Sequence, residues 1–296
     1  MSEKIITVAS RESKLAVAQA QLIIKAIAGA NPQLTLSVVT MKTTGDKILD
    51  KSLDKIGGKG LFVKELDYAL RNKLADITVH SLKDMPAEAP EDLPLLAFFV
   101  RGNPLDALVL PQGQTKIDIT KPIGCGSARR VLQLKKLYPN IEVKLIRGNV
   151  QTRLAKLDSG EYCATVLACA GLERLGLTDR ISRVFTAEEM LPAAGQGTLA
   201  VQGRAGEDYA FLREIDDKST RQASLAERTF VRILDGGCSS PIAAYAEVKG
   251  KNIIITGLYC DENTGKYIKG SESGVAEDGE ALAKKLALRL KNEVNL

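Results

Sequence analysis

Three segments of this chain set arginines just beyond an apolar, strand-like run: Arg129 and Arg130 after Ile123, Arg147 and Arg153 after Ile141–Ile146, and Arg174 after Ala164–Ala168. One arginine after a strand is ordinary surface. Arginines after successive parallel strands point to one cleft, because open α/β sheets bind ligands beyond the carboxyl ends of their strands. Guanidinium forks match carboxylates and phosphates, so the expected ligand carries several negative groups. No GxxxxGK[ST] or GxGxxG segment marks it as a nucleotide. Near the N-terminus, Arg11 and Ser13 stand where a helix begins, a place that favours an anion; simple capping by Ser13 explains the same residues locally. Ser81-Leu82-Lys83-Asp84-Met85-Pro86 closes another strand, where an open α/β sheet places its ligand; Asp84 is the carboxylate of interest there, and a loop carboxylate capping neighbouring amides explains it locally.

A cysteine on a glycine hinge completes the set, in Leu234-Asp235-Gly236-Gly237-Cys238-Ser239-Ser240-Pro241-Ile242. The helical pattern before it stops at the glycines, and Pro241 keeps it from resuming, so Cys238 is expected at a loop tip. Taken alone, Gly-Gly-Cys is an ordinary helix end. Between Thr43 and Gly60 a segment rich in glycine and lysine reads as a mobile flap, whose Lys55 and Lys59 could close on an anion; solvated surface lysines explain the same residues locally. His80 is the only histidine, and in an apolar strand it reads as a hydrogen-bonded residue rather than a catalyst.

Composition narrows the function class. Across 296 residues, 41 Lys+Arg against 36 Asp+Glu give a net charge of +5, too mild for a dedicated nucleic-acid coat. Aromatic residues are 4% with no Trp, poor material for base-stacking platforms, so no nucleic-acid partner is expected. The five cysteines lack metal-type spacing, and neither a zinc site nor a disulfide framework is expected. The first residues lack the pattern of a signal peptide and no apolar run has the length of a membrane span, so a cytoplasmic protein without a membrane partner is expected.

The elements that must position these residues follow from periodicity. Ile5–Ala9, a helix over about Lys14 to Ala28, and Leu34–Met41 make a β-α-β unit. A helix with Phe62, Leu66, Ala69, Leu70 and Leu74 on one face precedes the strand Asp76–His80. After Arg101-Gly102-Asn103-Pro104 a second α/β series begins with the strand Asp106–Leu110; Asn149 can cap the helix that carries Arg153. Met190–Gly197 reads as a return hinge. The pattern predicts two α/β lobes joined by two crossings. A smaller α+β domain follows, with a helix from about Thr220, strands near Ala243–Val248 and Ile253–Tyr259, and a helix over about Asp278 to Lys291. No internal repeat is evident.

Six segments, in order along nearly the whole chain, together resemble hydroxymethylbilane synthase, the porphobilinogen deaminase family. They are Ala9–Ala16, Gly57–Leu66, Val79–Pro86, Arg147–Leu154, Leu191–Gly197 and the Cys238 loop. The resemblance implies two lobes like type 2 periplasmic binding proteins plus the α+β C-terminal domain, with residues 1–99 and 198–216, 103–192, and 218–296 as the three domains. It implies a monomer holding a dipyrromethane cofactor through a thioether to Cys238, onto which porphobilinogen units are added with loss of ammonia. Asp84 is implied as the catalytic carboxylate, with Ser13, Lys83, Asp84, Ser127, Arg129 and Arg130 on the cofactor. Arg11, Gln19, Lys55, Lys59, Phe62, Ser81, Arg147, Arg153, Arg174 and Gln196 are implied on the substrate. The turn Gly124-Cys125-Gly126-Ser127 departs from the family's usual Gly-Thr-Ser-Ser, so position 125 lacks a hydroxyl. Cys125 is a second thiol near the arginines, but the attachment motif matches at Cys238. The alternative, a two-lobed anion-binding protein without catalysis, leaves the third domain and Cys238 without a role.

Overall fold

The computed structural model describes residues 5–43, 63–236 and 240–294. The expected flap with Lys55 and Lys59, the helix-face residue Phe62, and Cys238 lie outside the described residues.

The first sheet uses β1 (Ile5–Arg11), β2 (Thr35–Met41), β3 (Ile77–Ser81), β4 (Leu95–Phe98) and β10 (Leu199–Gly203), in the order β2-β1-β3-β10-β4. β1 runs parallel to β2 and β3, while β10 is antiparallel to β3 and β4. The second sheet uses β5 (Asp106–Val109), β6 (Ile123–Gly124), β7 (Val143–Lys144), β8 (Ala164–Ala168) and β9 (Arg183–Val184), in the order β7-β6-β8-β5-β9. Here β6 is parallel to β7 and β8, and β5 is antiparallel to its neighbours. The two sheets share one strand order, and in each the antiparallel fourth strand is the one that follows a crossing between the lobes. This likeness of the lobes has no counterpart in the sequence, because it resides in topology rather than in repeated residues. The three strands that precede arginines, β6, β7 and β8, are mutually parallel, as the cleft argument requires.

Helices α1 (Lys14–Ala30) and α2 (Lys64–Arg71) belong to the first lobe. Helices α3 (Ala128–Leu137), α4 (Val150–Asp158) and α5 (Cys169–Arg174) belong to the second. α1 buries Ala20, Ile23 and Ile27 at three- and four-residue steps against Ile6, Val8, Ile77 and Val79 of the sheet. On α2, Leu66, Ala69 and Leu70 are buried as expected, but Leu74 is 55% exposed. The helix ends at Arg71, and Lys73 turns with φ 58, which carries Leu74 off the apolar face. The strand expected over 141–146 pairs only at Val143–Lys144.

The third sheet, β11 (Ala243–Lys249), β12 (Asn252–Cys260) and β13 (Tyr267–Val275), is an antiparallel meander covered by α6 (Lys218–Ile233) and α7 (Gly279–Glu293). Phe230, Leu286 and Leu290 pack on Ile253 and Ile255. Gly257 is required there, since a Cβ would lie 2.4 Å from the Phe230 ring. β13 was not expected from Tyr267-Ile268-Lys269-Gly270-Ser271-Glu272; it has no fully buried residue, and its pairing with β12 defines it.

The crossings between the lobes run side by side. Gly102 N–H donates to Gly197 O at 3.1 Å. Gly197 has φ +87, and a Cβ on it would lie 2.5 Å from Gly102 O, so only glycine allows that approach. Glu227 of α6, fully buried, fastens the third domain to this joint. It accepts from Arg101 Nη1 at 2.6 Å, from Gly195 N–H at 2.6 Å and from Ala246 N–H at 2.8 Å.

Candidate active site

In the first lobe, β3 runs into a single 3-10 turn, Leu82–Asp84. Leu82 and Met85 are buried among Val63, Phe98 and Ala200, so the two residues between them, Lys83 and Asp84, are left half-exposed at the strand's carboxyl end. Asp84 lines a small recess with Arg11, Gln19, Ser81 and His80. Gln19 and Ser81 bond to one another, Nε2 to Oγ at 2.9 Å. The sequence thus brought Arg11, Gln19, Ser81 and Asp84 to one place. Ser13 caps α1, accepting from Ala16 N–H at 3.3 Å, so capping is its observed role.

His80 faces Thr78 Oγ1 at 2.8 Å and Gln202 Oε1 at 3.0 Å. Burial pushes its pKa down to about 4, outweighing the hydrogen bond to Gln202, and the ring is neutral near pH 7. It is a buried strand residue, as expected.

The second lobe supplies the cationic wall. Arg129 and Arg130 open α3 directly after the β6 turn and are both buried. They converge on Asp106, fully buried at the start of β5: Arg129 Nη1 donates to Oδ2 at 2.8 Å, Arg130 Nη2 to Oδ1 at 2.6 Å. Burial alone would raise the Asp106 pKa, but the two guanidiniums more than reverse this and hold it far below the usual carboxylate range. Ser127 stands half-buried at the head of α3, and its side chain makes no capping bond. Arg147 is buried at the end of β7, and Asn149 caps α4 as predicted, accepting from Thr152 N–H at 2.9 Å. Arg153 donates Nε to Gly148 O at 2.9 Å. Its pKa falls to about 10, first because it is buried and then because Arg130 and Arg147 are near.

Arg174 is engaged at the crossing between the lobes. Its guanidinium donates to Gly197 O of the crossing, and burial lowers its pKa to about 10. Gln196 bridges the lobes: its Nε2 donates to Asp106 Oδ1 at 2.9 Å and its Oε1 accepts from Lys83 at 3.4 Å. Burial pushes the Lys83 ammonium down to about 8, with Asp84 opposing and Arg130 adding to the shift. Sequence reasoning missed Asp106 and Glu227. Each sits in an apolar or helical pattern with no local sign of its partners, which come from distant segments.

Cys125, Cys163, Cys169 and Cys260 are free and buried. Burial raises the Cys125 thiol pKa, the opposite of what a nucleophilic thiolate needs. Among the described residues no cluster of His, Cys, Asp and Glu forms a metal site, and no helix is long and apolar enough to cross a membrane.

Residues 6–211 match the family model described as porphobilinogen deaminase, dipyromethane cofactor binding domain, and residues 221–292 match porphobilinogen deaminase, C-terminal domain. A porphobilinogen deaminase of Acetivibrio thermocellus is 55% identical over 285 residues, covering 96% of this chain and 97% of the relative. One of Ruminiclostridium cellulolyticum is 56% identical over 287 residues, covering 96% and 98%. The porphobilinogen deaminase of a Nostoc species is 42% identical over 300 residues, covering 99% and 93%.

Proposed function

Because the chain belongs to the porphobilinogen deaminase family, we propose that Asp84 is its catalytic carboxylate and that Lys83, Arg129, Arg130, Arg147 and Arg153 hold the carboxylates of the growing pyrrole chain. The protein is a transferase of porphyrin biosynthesis: it is a hydroxymethylbilane synthase that condenses four porphobilinogen molecules and uses a dipyrromethane cofactor.

One observation carries the residue assignment. Arg129 and Arg130, both buried, share the single carboxylate Asp106, and Arg153 stands close enough to Arg130 for its own charge to be disfavoured. Burying an uncompensated positive charge is costly, and a ligand rich in carboxylates offsets that cost. Dipyrromethane, whose pyrroles bear acetate and propionate groups, fits this donor set. When bound, it would supply the free pyrrole α-carbon to which the first unit is joined, each later unit joining the terminal pyrrole of the chain so begun. Asp84, in its recess beside the cationic wall, is positioned to accept pyrrole N–H bonds and to stabilise positive charge that develops as ammonia leaves. It also serves as the local acceptor and donor of the protons exchanged at each addition. Arg11, Gln19 and Ser81 line the same recess and orient the incoming porphobilinogen, and Ser13 and Ser127 add hydroxyls at the heads of α1 and α3. Arg174 and Gln196 act from the hinge.

The thioether to Cys238 and the substrate roles of Lys55, Lys59 and Phe62 rest on the match to the family motifs. Burial of Cys125, Cys163, Cys169 and Cys260 disfavours each of those four as the attachment thiol. The three sheets support domains at 1–99 with 198–216, 103–192 and 218–296. We further assign a cytoplasmic monomer.

Asp84→Asn, which keeps the shape of the side chain and removes its charge, tests the central assignment. Expected are a folded protein with a wild-type melting curve and product formation reduced at least ~100-fold, as befits loss of general acid–base and electrostatic stabilisation. Intact mass would show an adduct in wild type that disappears in Cys238→Ser. Near-normal turnover by Asp84→Asn would remove that residue from the chemistry, and a bare thiol in active wild-type protein would remove the attachment.

A further inference from the structure

We propose that Asp106 is a positioning residue for this site: it aims the Arg129 and Arg130 guanidiniums at the cleft and, through Gln196, ties that wall to Lys83 on the opposite lobe. The inference rests on the reading that the arginine wall binds the pyrrole carboxylates.

A fully buried carboxylate within the apolar strand Asp106-Ala107-Leu108-Val109 requires strong compensation, and the strand by itself offers none. The compensation comes from three side chains on two other segments. Oδ1 accepts from Arg130 Nε at 3.1 Å, Arg130 Nη2 at 2.6 Å and Gln196 Nε2 at 2.9 Å, while Oδ2 accepts from Arg129 Nη1 at 2.8 Å. Backbone carbonyls fix what remains of the geometry: Arg129 Nη1 also donates to Leu191 O at 2.7 Å, and Arg130 Nη1 to Val166 O at 3.0 Å.

Two consequences follow from this stoichiometry. One carboxylate cannot neutralise two guanidiniums, so the cluster keeps a net positive charge while each arginine is locked in one rotamer. Arg129 commits only Nη1; its Nε and Nη2 make no hydrogen bond among the described residues and stay available to a ligand carboxylate. Arg130 has all three nitrogens engaged and keeps only its second Nη hydrogens. Asp106 therefore divides the pair into a presented guanidinium and an anchored one. Pre-ordering the pair spares the ligand the cost of ordering two long side chains.

The link to Lys83 gives Asp106 a second effect. Gln196 stands in the crossing, donates to Asp106 Oδ1 and Pro104 O, and accepts from Lys83 Nζ. The arginine wall of one lobe and the lysine of the other are thus held in fixed relation through one amide.

The arginines hold carboxylates of the covalently tethered chain, while Arg11, Gln19 and Ser81 receive the incoming porphobilinogen; misplacing the wall therefore misplaces the reacting end of the primer and lowers kcat more than it raises KM. The test uses the full-length enzyme. In Asp106→Asn, kcat is expected to fall ~10-fold or more, with KM for porphobilinogen changed less than about threefold. The rate at which the apoprotein gains its adduct from porphobilinogen, followed by intact mass, falls in parallel. Asp106→Glu keeps the charge, while moving the carboxylate by one methylene; a kcat decrease of ~3-fold or more is expected. That variant decides the matter if Asp106→Asn fails to fold. Arg129→Gln is the reference. If it lowers kcat and adduct rate while a folded Asp106→Asn or Asp106→Glu keeps wild-type kcat and adduct rate, the positioning role is overturned and the arginine wall stands. If Arg129→Gln also leaves kcat and adduct rate unchanged, the arginine-wall reading itself is overturned.

Discussion

Replacing Glu227 by alanine should loosen the joint where both lobe crossings meet the third domain. The carboxylate is fully buried and accepts four hydrogen bonds: from Arg101 Nη1 at 2.6 Å and Nη2 at 3.2 Å, from Gly195 N–H at 2.6 Å and from Ala246 N–H at 2.8 Å. Truncation leaves Arg101, whose side chain is 12% exposed, with Gln196 O at 2.9 Å as its best acceptor, and leaves both backbone donors without a partner. Breaking a buried ion pair from one side costs about 3–5 kcal/mol, and an orphaned buried donor about 1–3 kcal/mol. These costs overlap, so a loss of about 4–6 kcal/mol is expected, a large share of a stability of about 5–15 kcal/mol. At about 2–4 °C per kcal/mol for a chain of this size, the melting temperature should fall by about 8 °C or more. Scanning calorimetry with a urea titration would measure this. Glu227→Gln, which keeps an acceptor, should lose less. The pair Arg101→Met with Glu227→Leu removes the stranded charge as well, so it should be more stable than the sum of its single changes predicts. A Glu227→Ala protein melting within about 2 °C of wild type, or a double variant showing simple additivity, would refute the account.

Lys83 and His80 give opposite ends of the pH profile. Burial holds the Lys83 pKa at about 8, so its ammonium is present below pH 8 and lost above it; because it holds a carboxylate of the tethered chain, kcat should fall through that pH, and Lys83→Met should remove this pH-dependent fall. Between pH 8 and the ordinary 10.5 the unfolded chain binds more protons at this site, so Lys83 makes stability increase with pH across that window, measurable as a denaturation midpoint. His80, neutral in the fold down to about pH 4 against an ordinary 6.5, is protonated first in the unfolded chain. Stability should therefore fall as pH drops from 6.5 toward 4, by roughly 3 kcal/mol from this group, and the denaturation midpoints of His80→Gln should lack that part of the decline.

What the sequence determined by itself is what local rules and short-range order control. Apolar periodicity marked α1, β8 and α6 to within a few residues, because each buries a regular face. The glycine-rich return segment showed the hinge, since Gly195 and Gly197 have positive φ and the crossings touch at Gly197. The placement of arginines after β6, β7 and β8 announced an anionic ligand, and the ordered motifs identified the family. Tertiary structure alone decided how those charges are used. Arg174 turns to the hinge carbonyl, Arg129 and Arg130 turn to Asp106, and Lys83 loses proton affinity by burial rather than through any neighbour in sequence. Asp106 is 23 residues before Arg129 and 90 before Gln196, and Glu227 is 126 after Arg101. The bonds depend on which strand lies fourth in a sheet and on two crossings running together. The types of these residues follow from the chain; their directions follow from contacts that exist only once the lobes and the third domain are assembled.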